Sequence, residues 1–265
     1  MRITILGSGT SHGIPVAGCP CRVCHSEDSR DRRSRASIFI EGKNGETAVI
    51  DTGPEFRLQA INAGIRRLDA VFLTHAHADH VHGLDDVRPF CREKPMPVYA
   101  NRQTVKEIRE RFSYVFRRTQ PGGGKPKIAP VKAAAPVRIG SLLFTPVPVR
   151  HGALRILGWR INEDGGGAAA YLTDVSAIPR SSMEILGKPG ILIIDGLRSQ
   201  PHPTHFSFDQ ALNAAADIEA EQVFLTHISH DHFHQEINRY CLEYREKRKL
   251  HGLMEAAWDG LTLSL

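Results

Sequence analysis

The chain is expected to fold as an α/β protein: two mixed β-sheets packed face to face, with helices on the outer sides. Strand-like apolar runs pair early in the sequence and alternate with helical spacing later, the pattern of stacked sheet and helix layers. The run Phe-Leu-Thr-His occurs twice, at 72–75 and 224–227, as if two similar halves faced each other. Several apolar runs also end directly on histidine or aspartate, which would gather polar side chains at strand ends.

Arg2 to Leu6 alternates and stops at Gly7-Ser-Gly9, a strand running into a loop. The loop passes His12, Pro15 and Gly18 and enters Cys19-Pro-Cys21-Arg-Val-Cys24. Residues 25–35 are charged and read as a solvated stretch, including Arg30, Arg32, Arg33 and Arg35. Ala36 to Glu41 and Thr47 to Asp51 read as a hairpin turned by Gly42-Lys-Asn-Gly45. Pro54 to Ala63 suits a helix closed by Gly64. Val71 to Thr74 reads as a buried strand, and the residues after His80 open a helix.

Pro97 to Ala100 is a short strand, and Val105, Ile108, Phe112 and Val115 give Arg102 to Arg118 helical spacing. Thr119 to Lys127 breaks that pattern with glycines and prolines. That segment reads as loop, basic at Arg117, Arg118, Lys125 and Lys127, and a mobile cover over a site, within 117–135, is the sharper possibility. Two strands lie around Gly140 between Val137 and Val149. Ile156 to Asn162 and Ala168 to Thr173 form another pair. Ile191 to Asp195 is a buried strand, Ser207 caps a helix reaching Ala220, and Val223 to Thr226 is a core strand. A charged helix from His234 to Lys249 precedes a closing strand, Leu261 to Leu265.

The chemistry concentrates in Val71-Phe-Leu-Thr-His-Ala-His-Ala-Asp-His80. Imidazole and carboxylate suit zinc, manganese or iron. His75 and His77 are two apart, so extended backbone points both the same way, toward one ion. Asp79 and His80 lie past a turn and could serve a second ion. Later apolar runs end at His151, Asp174 and His227 and offer further ligands. Three cysteines in six residues read as metal binding in a reducing compartment. A closed zinc site needs a fourth ligand, and the histidine-rich run from His227 to His234 supplies candidates. His230 is three residues past His227, so one turn could serve two sites. Cys91 and Cys241 read as ordinary buried thiols.

Together these residues resemble the metallo-β-lactamase superfamily of binuclear hydrolases. The resemblance spans essentially the whole chain and implies the αββα four-layer sandwich, here as one domain over 1–265. It matches His75, His77 and His151 to one metal site, Asp79, His80 and His227 to the other, and Asp174 to the bridging carboxylate. An acid at Asp51 would orient a ligand loop. The cysteine cluster is similar to that of the phosphodiesterases of the carbon–phosphorus lyase pathway, where Cys19, Cys21, Cys24 and His230 match the ligands of a structural zinc. The same resemblance puts a catalytic histidine at His205, with His202 as its neighbour. It implies two divalent catalytic ions, zinc or manganese, and a small phosphodiester substrate akin to phosphoribosyl 1,2-cyclic phosphate. Water activated between the ions would attack phosphorus, with Asp79 at the reacting centre and His205 protonating the leaving group. The rival expectations are an RNA-processing nuclease of the tRNA 3′-trimming type and a non-hydrolytic cofactor-synthesis protein of this fold. A homodimer would follow family habit.

Composition narrows the classes. The net charge of +5 and pI of about 9.0 favour an anionic substrate and make nucleic acid a lesser expectation. No stretch approaches the roughly 20 apolar residues of a membrane span, and the chain begins on a strand without a signal region. A cytoplasmic protein is expected.

Overall fold

The computed structural model describes residues 1–91, 93–118 and 124–265. The strands of the first half are β1 (Arg2–Gly7), β2 (Ser37–Glu41), β3 (Thr47–Ile50), β4 (Ala70–Phe72), β5 (Met96–Ala100) and β6 (Ile128–Lys132). Those of the second half are β7 (Val137–Ile139), β8 (Leu142–His151), β9 (Leu154–Glu163), β10 (Ala168–Leu172), β11 (Ile191–Asp195), β12 (Gln222–Thr226), β13 (Leu253–Ala256) and β14 (Thr262–Ser264). They form two sheets, ordered β14-β1-β2-β3-β4-β5-β6 and β13-β12-β11-β10-β9-β8-β7. Each sheet mixes antiparallel edges with parallel pairs, β3-β4-β5-β6 in one and β10-β11-β12-β13 in the other.

The αββα sandwich follows from side-chain alternation. Successive residues of a strand face opposite sides of its sheet, so a strand covered on both faces is apolar throughout. On β11, Ile191 and Ile193 pack between the sheets, while Leu192 and Ile194 pack toward helices. On β12, Phe224 faces inward, with Val223 and Leu225 outward. On β4, Ala70 and Phe72 face inward and Val71 outward. The inter-sheet layer centres on Phe72, whose ring stacks 3.9 Å from that of Phe144 and meets the edge of Trp159 at 4.9 Å. Each such fully buried apolar side chain contributes about 1.5–3 kcal/mol.

The outer layers hold the helices α1 (Phe56–Asn62), α2 (Ala78–Val81), α3 (Arg102–Arg111), α4 (Ser113–Phe116), α5 (Arg180–Leu186), α6 (Phe208–Ile218) and α7 (His234–Arg248). Phe56 and Ala60 of α1 and Ile108 of α3 cover the first sheet. Leu186 of α5, Leu212 of α6 and Ile237 of α7 cover the second. Ser207 caps α6 with a capping box to Gln210, which sets the start of that helix.

Several sequence expectations are corrected. The helix over 102–118 is two helices, because Phe112 leaves helical geometry between α3 and α4. Within 117–135, residues 128–132 are the edge strand β6, so they cannot belong to a cover; residues 119–123 lie outside the described residues. Strand β13 and helix α5 carried too little periodicity to be read from the sequence. Arg33 is not solvated. It is fully buried, paired with Asp31 at 2.9 Å, and donates to the carbonyls of Ser229 at 2.7 Å and His232 at 3.2 Å. That ties the start of the chain to the 227–234 loop.

Candidate metal centre

The two Phe-Leu-Thr-His runs end β4 and β12, one in each sheet. The C-terminal ends of β3, β4, β8, β10, β11 and β12 deliver Asp51, the 75–80 segment, His151, Asp174, Asp195 and His227 to one edge of the sandwich. Asp51, Asp174 and His227 all have positive φ, at 64°, 59° and 57°. Such backbone is costly for residues with a Cβ, at about 1–3 kcal/mol each, and persists where surrounding structure enforces it, as at functional sites.

His75, His77 and His151 come together, and beside them Asp79, His80, Asp174 and His227 form a second group. Ring centroids separate His75 from His77 by 4.4 Å and His77 from His151 by 5.2 Å. His80 Nε2 lies 3.1 Å from Asp79 Oδ2 and 3.2 Å from Asp174 Oδ2. Asp174 Oδ1 lies 3.4 Å from His227 Nε2 and 3.9 Å from His75 Nε2. Asp174 therefore reaches both groups.

Hydrogen bonds aim the rings. Asp51 accepts from His80 Nδ1 at 2.7 Å, and its other bonds, from the Thr74 N–H and hydroxyl at 2.8 Å each, hold the turn after β4. His151 Nδ1 donates to the Thr204 carbonyl at 2.8 Å. These bonds fix the outward nitrogen as Nε2 in both rings.

The electrostatics suit cations. Burial opposes charge on His80, yet Asp174, Asp51 and Asp79 together raise its pKa well above the ordinary value. His227 is likewise disfavoured by burial but lifted to about 9, first by Asp174. Burial pushes Asp174 up, and the facing charges of His227 and His80 overcome this and hold it well below the usual range. His75 is lowered, by burial and then by the charge on His80. The Nε2 atoms of His75, His80 and His227 are buried without a hydrogen-bond partner. Buried polar atoms are rarely left so. Three orphaned imidazole nitrogens beside two carboxylates fit divalent cations.

His205 stands between the groups, its ring 4.8 Å from that of His151 and stacked 4.7 Å from that of His227. Its Nδ1 donates to Asp195 Oδ2 at 2.9 Å, and the same oxygen accepts the Val175 N–H at 2.7 Å. Asp195 was missed as a site residue. The available signal was that its strand, like the ligand-bearing ones, stops on an acid.

At the other end of the 227–230 turn, Cys19, Cys21 and Cys24 surround His230. Their Sγ atoms lie 3.4, 3.4 and 3.5 Å from His230 Nδ1. A tetrahedral zinc with Zn–S of about 2.3 Å and Zn–N of about 2.0–2.1 Å requires S···N edges near ~3.5 Å. The Cys24 N–H donated to its sulfur helps lower the Cys21 thiol to about 6, which favours the thiolate that binds metal. Cys91 and Cys241 are buried elsewhere.

Residues 47–228 match the β-lactamase superfamily domain. A solved structure described as a new diphosphatase from the PhnP family superposes with a TM-score of 0.86 at 40% identity, covering 100% of this chain and 97% of that one. The chain belongs to the β-lactamase superfamily, in its PhnP family. A Porphyromonas gingivalis protein named octanoyltransferase is 43% identical over 263 residues, 98% of this chain but 51% of that protein. The chain thus spans about half that relative's length. Zinc-bound PqqB from Methylobacterium extorquens shares the fold, with a TM-score of 0.79 at 20% identity over 100% of both chains. The metallo-β-lactamase fold, metal-ligating residue groups and hydrolase neighbours of this PhnP-family chain support a metal-dependent hydrolase. No described helix is long and apolar enough to cross a membrane.

Proposed function

We propose that the chain is a phosphodiesterase with two divalent ions, zinc or manganese, acting on a small cyclic phosphodiester such as a phosphoribosyl 1,2-cyclic phosphate. The observation that carries this is the His205–Asp195 pair set between two adjacent ligand groups that share Asp174. His75, His77 and His151 would hold one ion, Asp79, His80 and His227 the other, with Asp174 between them. Such ions acidify bound water from a pKa of 15.7 toward about 7 and neutralise phosphate charge.

The remaining work falls to the chain's own side chains. Asp195 accepts the Nδ1 proton of His205, which leaves Nε2 to carry the proton a leaving alkoxide needs. Asp51 and the Thr204 carbonyl keep His80 and His151 in register. Burial of the ligand groups keeps their charges strong by lowering the local dielectric. We read the 265 residues as one unit, with a homodimer as its assembly.

The cysteines and His230 would hold a third, structural zinc. Because His230 follows His227 by three residues, that zinc would anchor a catalytic ligand's loop. Replacing Cys21 with serine is expected to remove one zinc equivalent by metal analysis and lower the melting temperature, with the catalytic ions then lost more readily to chelator. An unchanged zinc content would contradict the assignment.

Hydrolysis of bis(p-nitrophenyl) phosphate by the purified protein, with and without added manganese, tests the function. Metal-dependent release of p-nitrophenol is expected. A metal-loaded protein that cleaves no phosphodiester would instead fit the non-hydrolytic reading. A salt-dependent shift of tRNA, with phosphate contacts weakening as salt rises, would move the substrate to RNA.

A further inference from the structure

Neither ring nitrogen of His227 has a hydrogen-bond partner among the described residues. His80 and His151 are aimed by bonds at Nδ1, to Asp51 and to the Thr204 carbonyl. The His205 ring stacks on His227 at 4.7 Å, which restrains tilt but not rotation in the ring plane. The direction of His227 is therefore set by its backbone, which holds a φ of 57°. A residue with a Cβ keeps such backbone only where its surroundings enforce it.

The next two residues show what enforces it. Ile228 donates its N–H to the Ser8 carbonyl at 2.9 Å and accepts the Thr10 N–H at 3.1 Å. Ser229 donates its N–H to the Leu197 carbonyl at 2.9 Å. The Ser229 carbonyl is taken by Arg33 Nη1 at 2.7 Å. Among the described residues this is the only side-chain hydrogen bond to the backbone of 227–229.

Arg33 holds more than that carbonyl. Its Nη2 donates to the His232 carbonyl at 3.2 Å and pairs with Asp31 at 2.9 Å, both side chains being buried. Asp31 Oδ1 also accepts the His234 N–H at 2.6 Å, where α7 starts. Asp31 Oδ2 accepts the Ser26 hydroxyl at 2.6 Å, two residues past Cys24. The backbone of Arg33 is fixed in turn by reciprocal bonds with Ile14, at 2.8 and 2.9 Å. A guanidinium can hold two diverging carbonyls because its donors form a rigid planar fork. Lysine carries the charge without the fork. The carbonyls held, at 229 and 232, lie on either side of His230, so the fork grips the loop that faces both metal sites.

We propose that Arg33, with Asp31 as its counter-charge, is a positioning residue for the ion that His227 would share with Asp79 and His80. It fixes the backbone that aims His227 and so sets that ion's affinity, separately from the ion of His75, His77 and His151. This rests on the two-ion reading of the centre. The ligands of the other ion come from the turn after β4 and the end of β8 and do not use the 227–234 loop.

The test is stepwise removal of manganese from the loaded protein by a graded series of EDTA concentrations, followed by electron paramagnetic resonance. Two manganese ions sharing a carboxylate couple magnetically, whereas a lone ion gives a mononuclear spectrum. Arg33→Met combined with Asp31→Asn removes both charges together, so neither is left buried alone. In this double variant one ion is expected to leave at roughly 10–100-fold lower EDTA than in the intact protein, the scale for loss of a group that orients a ligand. The other ion is expected to leave where it did before. The mononuclear spectrum that then appears should match that of His227→Ala, which lacks the ligand concerned. Arg33→Lys is expected to fall between the double variant and the intact protein, and it carries the same comparison if the double variant does not fold. Retention of both ions at the EDTA levels of the intact protein overturns the proposal. Equal weakening of both ions also overturns it, since general loosening of the fold would do that. An intact protein that never shows a coupled pair overturns the two-ion reading instead, and whether Arg33→Lys releases its manganese at lower EDTA then decides the role of Arg33.

Discussion

Replacing Asp174 with alanine is expected to abolish measurable turnover and to empty the catalytic centre. Among the described residues, Asp174 is the only side chain whose two oxygens lie near both ligand groups, 3.9 Å from His75, 3.2 Å from His80 and 3.4 Å from His227. It is also the leading charge that sustains His80 and His227 in a buried position. Without it, two buried imidazoles lose their main compensating charge, and neither ion keeps a shared ligand. The loss should exceed the roughly 10²–10³-fold typical of removing one stabilising donor from an active site. Metal analysis of the variant, alongside turnover of bis(p-nitrophenyl) phosphate, checks this. Asp174→Asn keeps the shape without the charge and should lose the metals as well. A variant that kept both ions and near-normal turnover would remove Asp174 from the centre.

Replacing His205 with alanine is expected to slow turnover by about 10²–10⁴-fold while leaving the catalytic metal content unchanged. The ring lies against His151 and His227, and among the described residues its only side-chain hydrogen bond is to Asp195. Its removal should therefore cost proton transfer and leave coordination intact. Asp195→Asn should produce a smaller fall of the same kind, since it misorients the imidazole without deleting it. The slowing should be greatest for esters with poor leaving groups and least for p-nitrophenyl esters, whose leaving group hardly needs a proton. Loss of the metals from the alanine variant would make His205 a ligand and leave the leaving group without its acid.

Much of this was readable because the site is written in the local grammar of strands. Each ligand closes an apolar run, and a run that stops on histidine or aspartate announces a strand end with something to hold. The core strands were clear for the same reason: Ile191 to Asp195 and Val223 to Thr226 are too apolar to be anything but covered on both faces. What stayed hidden depends on partners distant in sequence. Arg33 sits in a charged run and looks like surface until Asp31 and the carbonyls of Ser229 and His232 fold around it. Asp195 closes a strand as Asp174 does, but only the approach of His205 distinguishes an orienting acid from a ligand. The chain bends between α3 and α4 at Phe112, an apolar residue in good helical phase, so periodicity passed straight through it. The edge strand β6, Ile-Ala-Pro-Val-Lys, contains a proline, which weakens its strand signal; an edge tolerates it because one side of the strand has no ladder to supply.

The central claim is that seven side chains from both sheets hold two neighbouring cations. Anomalous diffraction from crystals of the manganese-loaded protein measures this directly. Two peaks about 3.5–4 Å apart are expected, one contacted by His75, His77 and His151, the other by Asp79, His80 and His227, with Asp174 touching both. A single peak, or peaks lying away from these residues, would contradict it.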